Sequence, residues 1–372
     1  MIAAWPAARL VFEPIFGRLA DTGPRKVMMV LGLVLASVFA VLPLFITGPL
    51  AFIVLRALAG MAAAMYDPAA RGYLMDANPP ERQGEMFGMY AAAQMGGLML
   101  GPVVGGVVAG VVNEPAVVFW VAGIALLVSA VVVVGRVPEI GHRAVAPAAQ
   151  PADDGLDPAG RPVRLFNVLL IAALVMNAGS YFAGGTYEVV WSLYLTSLGA
   201  DLATIGLTFA SFGLPILLLS PFTGRLIDRA GGYRPLVGGM LIVALCGAVY
   251  PLVEEIWWVV LLGLAEGTGF AFAAPALYSL VARAAPPGRS SSAQGVFGAA
   301  GTIGTIAASL AAGVLASFDL RAPFFATSFV ALIALLIGLG IGRRRIARAM
   351  AAKHEPIGGG VAGDAVASVP GS

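Results

Sequence analysis

The chain has 372 residues, 59% of them hydrophobic and only 11% charged, with a formal net charge of +2. That composition excludes a soluble globular domain, because so much apolar side chain needs lipid as its solvent. A single cysteine, Cys246, excludes a disulfide within the chain, and two histidines in predicted loops, His142 and His354, leave no metal-ligand spacing.

Apolar runs lie near residues 2–16, 27–46, 50–70, 86–112 and 115–135. A stretch rich in Pro, Ala and Asp follows at 137–165, and further runs lie near 166–190, 202–222, 235–253, 256–276, 294–316 and 323–342. About 20 apolar residues cross the hydrocarbon core, and every run but the first reaches or approaches that length. The expectation is an all-α, polytopic membrane protein. It divides into an N-terminal bundle over 1–136, a cytoplasmic linker over 137–165, a C-terminal bundle over 166–348 and a disordered tail over 349–372. Of the 22 Lys and Arg, all but Arg9, Arg56 and Arg321 fall in one set of alternating loops and the tail, which puts linker and C-terminus in the cytoplasm. No Gly-rich loop runs into Lys-Ser/Thr, which argues against a nucleotide-driven pump within this chain.

In chain order, Arg9 and Glu13 are four residues apart and are expected to pair on one helix face. "GRLADTGPRK" at 17–26 joins two spans by a short basic turn. There Gly17 permits close helix approach and Asp21 can accept hydrogen bonds from amides at a helix N-terminus. Arg56 lies seven residues into its span. A charge at mid-membrane costs about 2.5–3.5 kcal/mol, so it faces a cavity or partner unless it snorkels outward. Asp67, before Pro68, is expected to be solvated. "GLMLGPVVGG" at 97–106 spaces its glycines three or four apart on one face, where small residues let helices touch backbone to backbone, and Pro102 favours a bend. Asn177, Ser180 and Tyr181 offer polar groups on one helix. Glu188 stands near its outer end among Tyr187, Trp191 and Tyr194. Glu266 falls at the middle of its span and is the leading candidate to bind and release a proton, the alternative being a permanently neutral, hydrogen-bonded acid.

The two bundles are related by an internal repeat. "PIFGRLAD" at 14–21 matches "PFTGRLID" at 221–228, an offset of 207, which also carries Gly60 to Gly267, Pro68 to Pro275 and Arg82 to Arg289. The orientation is the same in both halves, so the repeat is parallel. The counterpart of the span at 166–190 would precede Met1, which leaves five spans and then six. The reading is a twelve-helix design without its first helix, from a misplaced start or a real truncation.

These motifs resemble the major facilitator superfamily over nearly the whole chain. Its loop pattern, Gly-x-x-x-Asp-Arg-x-Gly-Arg-Lys/Arg, is fitted by Gly17, Asp21, Arg25 and Lys26, with departures at Thr22 and Pro24. Gly224, Asp228, Arg229 and Gly231 fit in the second copy, where Gly232 replaces the later Arg. The resemblance implies the major facilitator fold and a charge-relay latch holding an outward-open state. "RALAGMAAA" at 56–64 resembles the fourth-helix pattern in which Arg56 assists proton transfer. Gly97, Gly101, Pro102, Gly105 and Gly106 fit the fifth-helix motif of antiporters, which implies efflux; the repeat partner at 301–313 has no Gly-Pro. Family analogy lines the central cavity with the spans at 50–70, 166–190 and 256–276, making Asn177, Tyr181 and Tyr187 candidate substrate contacts.

The implied function is proton-coupled export of a small amphipathic or drug-like compound across the plasma membrane, with Glu266 as coupling residue, Arg56 modulating it and Glu188 second. No catalytic residue, cofactor, metal or nucleic-acid partner is expected, and the oligomeric state is left open. Two other readings stand beside it: proton-linked uptake or facilitated transport of a sugar or metabolite, and a transport-inactive membrane protein acting by interaction.

Overall fold

A computed structural model describes residues 4–139 and 164–351. The linker's interior with His142, and the tail with His354, lie outside them. The described residues form eleven α-helices and no strand: α1 (Ala4–Thr22), α2 (Arg25–Val41), α3 (Pro49–Ala77), α4 (Gln83–Val112), α5 (Val117–Arg136), α6 (Val168–Ser197), α7 (Leu202–Ala230), α8 (Tyr233–Val249), α9 (Ile256–Ala284), α10 (Ser290–Ala316) and α11 (Ala322–Ala349). Ten are long and apolar enough to cross a membrane. The exception is α1, which carries Arg9, Glu13, Arg18 and Asp21.

Local chemistry sets several ends. Asn167 caps α6 by accepting from the Leu170 amide at 3.0 Å, and Asp201 caps α7 by accepting from the Thr204 amide at 2.8 Å. The bonds from Thr204 hold the Asp201 carboxyl below the usual carboxylate range. Gly231 turns the chain between α7 and α8 at φ 90°, a conformation open to glycine. Large apolar side chains such as Leu98, Val131 and Phe329 cover the outer surface, as lipid-facing helices require.

Helices α1, α2, α3 and α5 pack together, with α4 against α5; α6 to α11 form the second bundle. The offset of 207 carries the limits of α3, Pro49 and Ala77, onto those of α9, Ile256 and Ala284, and the start of α4 onto that of α10. Helix α6 has no counterpart among the described residues. The bundles meet along two seams, α1 with α10 and α4 with α7, flanked by contacts of α3 with α10 and of α4 with α9.

Two expectations change. Helix α3 runs seven residues past the expected end of its span, so Arg71, read as a loop residue, is buried inside a helix with 3% exposure. The "GRLAD" stretch is the last turn of α1 and not part of the turn itself. At Arg71 a carboxylate of a neighbouring helix, Glu13 of α1, offsets a charge that otherwise marks a loop, whereas Arg18 in the last turn of α1 stays exposed.

Candidate functional site

All the short loops rich in Arg and Lys lie at one end of the bundles, the basic end. There the two seams are fastened by the same device. Asp21, at the end of α1, accepts from the amides of Ser291 and Ser292 at the start of α10, both at 2.8 Å. Asp228, at the end of α7, accepts from the amides of Gly84 and Glu85 at the start of α4, both at 2.8 Å. The first amides of a helix have no intrahelical acceptor and carry partial positive charge, so each carboxylate finds two free donors and a favourable field. The offset of 207 maps every partner of one cap onto its partner in the other.

Glycines make this approach possible. A Cβ on Gly17 would fall on the Ser291 carbonyl, and one on Gly224 on the Gly84 carbonyl. One turn deeper, Gly295 lies against the Glu13 carbonyl and Gly88 against that of Ser220. The seams therefore close backbone on backbone.

Around Asp21 a charged network adds support. Arg25 donates to the Ala20 carbonyl at 3.1 Å, to the Gly72 carbonyl at 3.3 Å, to Asp21 at 3.3 Å and to Asp76, which in turn accepts from the Ser290 hydroxyl at 2.6 Å. At the second seam the ion pairs among the described residues are exposed ones, Glu85 with Arg225 at 2.9 Å and with Arg82 at 3.3 Å. Lys26 and Arg229 form no ion pair among the described residues.

Arg56 on α3 and Glu188 on α6 are exposed, and each lies within reach of the other's charge without an ion pair. Tyr181, Gly184 and Glu188 share one exposed stripe of α6, three or four residues apart. Glu266 is buried, with 1% exposure, and accepts from the hydroxyls of Tyr187 at 2.7 Å and Tyr250 at 2.9 Å, inside an aromatic cluster with Trp191 and Phe324. Every member of that cluster belongs to the C-terminal bundle. Arg56 makes no ion pair among the described residues, and the hydrogen-bond partners of Glu266 are the two tyrosines of its own bundle. Of the candidate substrate contacts, Tyr181 is exposed. Asn177 donates to the Phe297 carbonyl at 2.8 Å and Tyr187 is bound to Glu266, so both are spent on packing within their own bundle.

Sequence reasoning missed an ion cluster on the first seam. The expected pair forms, with Arg9 Nε donating to Glu13 Oε1 at 2.7 Å. Asp67, expected to be solvated, also accepts from Arg9, and Arg71 brings Nη2 to 4.0 Å from Glu13 Oε1. The signal was present: Asp67 and Arg71 repeat on α3 the four-residue spacing of Arg9 and Glu13 on α1.

The glycine stripe of α4 does not make the helix contact expected of it. Gly97, Gly101 and Gly106 meet no atom within contact distance, and Gly105 meets only the Val118 side chain. The counterparts of Gly97 and Gly101 on α10 do pack: Gly304 lies against the Ala178 carbonyl and Ala308 against Gly185, both on α6, while Gly313, the counterpart of Gly106, is also open. Among the described residues α6 is the helix without an N-terminal equivalent, and no helix covers this stripe of α4. Pro102 sits inside α4.

Comparison with known proteins accords with this architecture. The family model for the Major Facilitator Superfamily matches residues 1–191 and again 173–357. The multi-drug resistance efflux pump PmrA of Streptococcus pneumoniae is 27% identical over 341 residues, covering 88% of this chain and 82% of that protein. Multidrug resistance protein 2 of Bacillus subtilis is 24% identical, covering 92% of this chain and 84% of that one. Among solved structures, a double-tryptophan XylE mutant superimposes with a TM-score of 0.73 at 14% identity, over 91% of this chain and 85% of that one.

Proposed function

The chain belongs to the major facilitator superfamily, and on that premise we propose that it exports small amphipathic, drug-like compounds in exchange for protons by rocking of its two bundles. The basic end is the cytoplasmic one, on the positive-inside rule. With both seams fastened at that end, this state is closed to the cytoplasm.

The observation that carries the reading is the pair of carboxylate caps, Asp21 on α10 and Asp228 on α4, both at one end. A fastening of four hydrogen bonds from main-chain amides and four close-packed glycines holds one of two global states and can be released without disrupting either bundle, which alternating access requires. The export direction is supported by the names of the relatives and by the Gly-Pro stripe of α4.

Reconstituted protein tests the proposal. With an inward-directed proton gradient across the native cytoplasmic face, vesicles should move ethidium against its gradient and lose that movement when the proton gradient is collapsed. Ethidium flux indifferent to the gradient would reject proton exchange, and absence of flux for a panel of lipophilic cations would reject export of this class.

A further inference from the structure

A carboxylate that couples a proton to alternating access has to change its surroundings when the bundles tilt. Glu266 does not meet that condition, because its partners Tyr187 and Tyr250 belong to the same bundle and move with it. Glu13 does. Its side chain is fully buried on α1, yet the surface pressed against it belongs to the other bundle. A Cβ on Gly298 of α10 would coincide with Glu13 Oε2, and Gly295 lies on the Glu13 carbonyl. Glu13 Oε2 has no hydrogen-bond partner, and neither has Arg71 Nη2, which also lies beside Gly298.

The groups facing Glu13 are Arg9 on its own helix and Asp67 and Arg71 on α3, while α10 presents glycines. Tyr90 of α4 and Tyr278 of α9 stand around the Arg71 guanidinium. Two guanidiniums and two carboxylates balance. Under the repeat offset, Arg9, Glu13, Asp67 and Arg71 become Ile216, Ser220, Ala274 and Tyr278. The other seam closes with no charge at these positions, so closure alone does not call for the cluster.

We infer that Glu13, in the ion cluster of the α1–α10 seam, carries the proton whose binding opens the basic end and whose release lets it close. The inference rests on the proton-exchange reading above. A proton arriving from the outer side bonds to Oε2 and cancels the carboxylate charge. One guanidinium is then uncompensated in a dry seam, which strongly disfavours the closed arrangement. The seam parts, water reaches α1, and the O–H bond breaks with its proton passing to that water. Glu13 then pairs again with Arg9 and Arg71. The sign is the one exchange requires: the proton travels inward as the basic end opens, and substrate travels outward as it closes.

The test needs no substrate. Spin labels at Glu81 and Pro287, exposed basic-end positions of the two bundles, in a Cys246→Ser background report the width of the basic end in lipid nanodiscs. Between about pH 8 and about pH 5.5, a range in which a buried carboxyl can change state, acidification should shift the closed-to-open ratio about tenfold or more towards open. Glu13→Gln should hold the open distance at every pH, and Glu13→Asp should restore a response with a displaced midpoint, which a variant damaged only in folding would not do. A wild-type protein indifferent to pH, a Glu13→Gln variant that keeps the wild-type response, or a response lost in Glu266→Gln and kept in Glu13→Gln would each overturn the inference. Absence of ethidium export alongside a response that depends on Glu13 would sink the transport reading alone. Proton-driven export with an unaltered response in Glu13→Gln would sink this inference alone.

Discussion

The two seams make an informative comparison because one register relates them. On α1–α10 and on α4–α7 the same backbone events recur: an acid over two free amides, a glycine on a carbonyl at the end, and another glycine one turn deeper. The side chains differ. The first seam holds Arg25, Asp76 and the four-charge cluster, whereas the equivalents of that cluster on the second are neutral. What the repeat shares is thus the mechanics of closing, built from main chain; what distinguishes the halves is where charge has been placed on that frame.

The largest effect should come from breaking the shared mechanics. Leucine at Gly295 or at Gly88 forces its side chain into the opposing carbonyl and has to separate the helices. Overpacking costs about 1–3 kcal/mol or more, so spin-label distances across either seam should show the closed state reduced roughly tenfold to a hundredfold. Equal closure in either variant would mean that the seams are looser than described.

The next effect sharpens the difference between the seams. Asp21→Asn and Asp228→Asn each keep an acceptor and remove its charge, for a loss of about 1–2 kcal/mol in the closed state. Asp21 also pairs with Arg25, so the first variant should cost more, read as the closed fraction at fixed pH. Equal losses would show that the Arg25 network adds nothing to closure. The smallest effect is expected at Arg225→Ala, which breaks an exposed pair with Glu85; exposed pairs contribute little, and distance distributions and thermal midpoint should not move measurably.

Much of this architecture was legible beforehand. Apolar run length gave the helices, and helix breakers in one register gave the repeat, because Gly and Pro are tolerated only where the backbone needs them. The cap on a helix N-terminus was legible from Asp21 itself, since an acid gains there both from free amide donors and from the positive end of the helix. Three things were not. Arg71 read as a loop residue because a hydropathy window ends at the first charge and takes no account of carboxylates supplied by another helix. Asp67 read as solvated for the same reason. The enclosure of Glu266 by its own bundle was not legible, because mid-membrane depth says how far along a helix a residue lies, whereas its azimuth decides which bundle encloses it.

The caps carry one more consequence. Each acid is received by main-chain amides, which every residue except proline supplies, so the two sides of the fastening differ in how freely they can vary. The receiving pairs already do: Gly84-Glu85 at one seam, Ser291-Ser292 at the other. Saturation mutagenesis should therefore find broad tolerance at Ser292 and Glu85 with proline alone rejected, beside near-complete intolerance at Asp21 and Asp228. Half of the lock can drift in sequence without changing its shape.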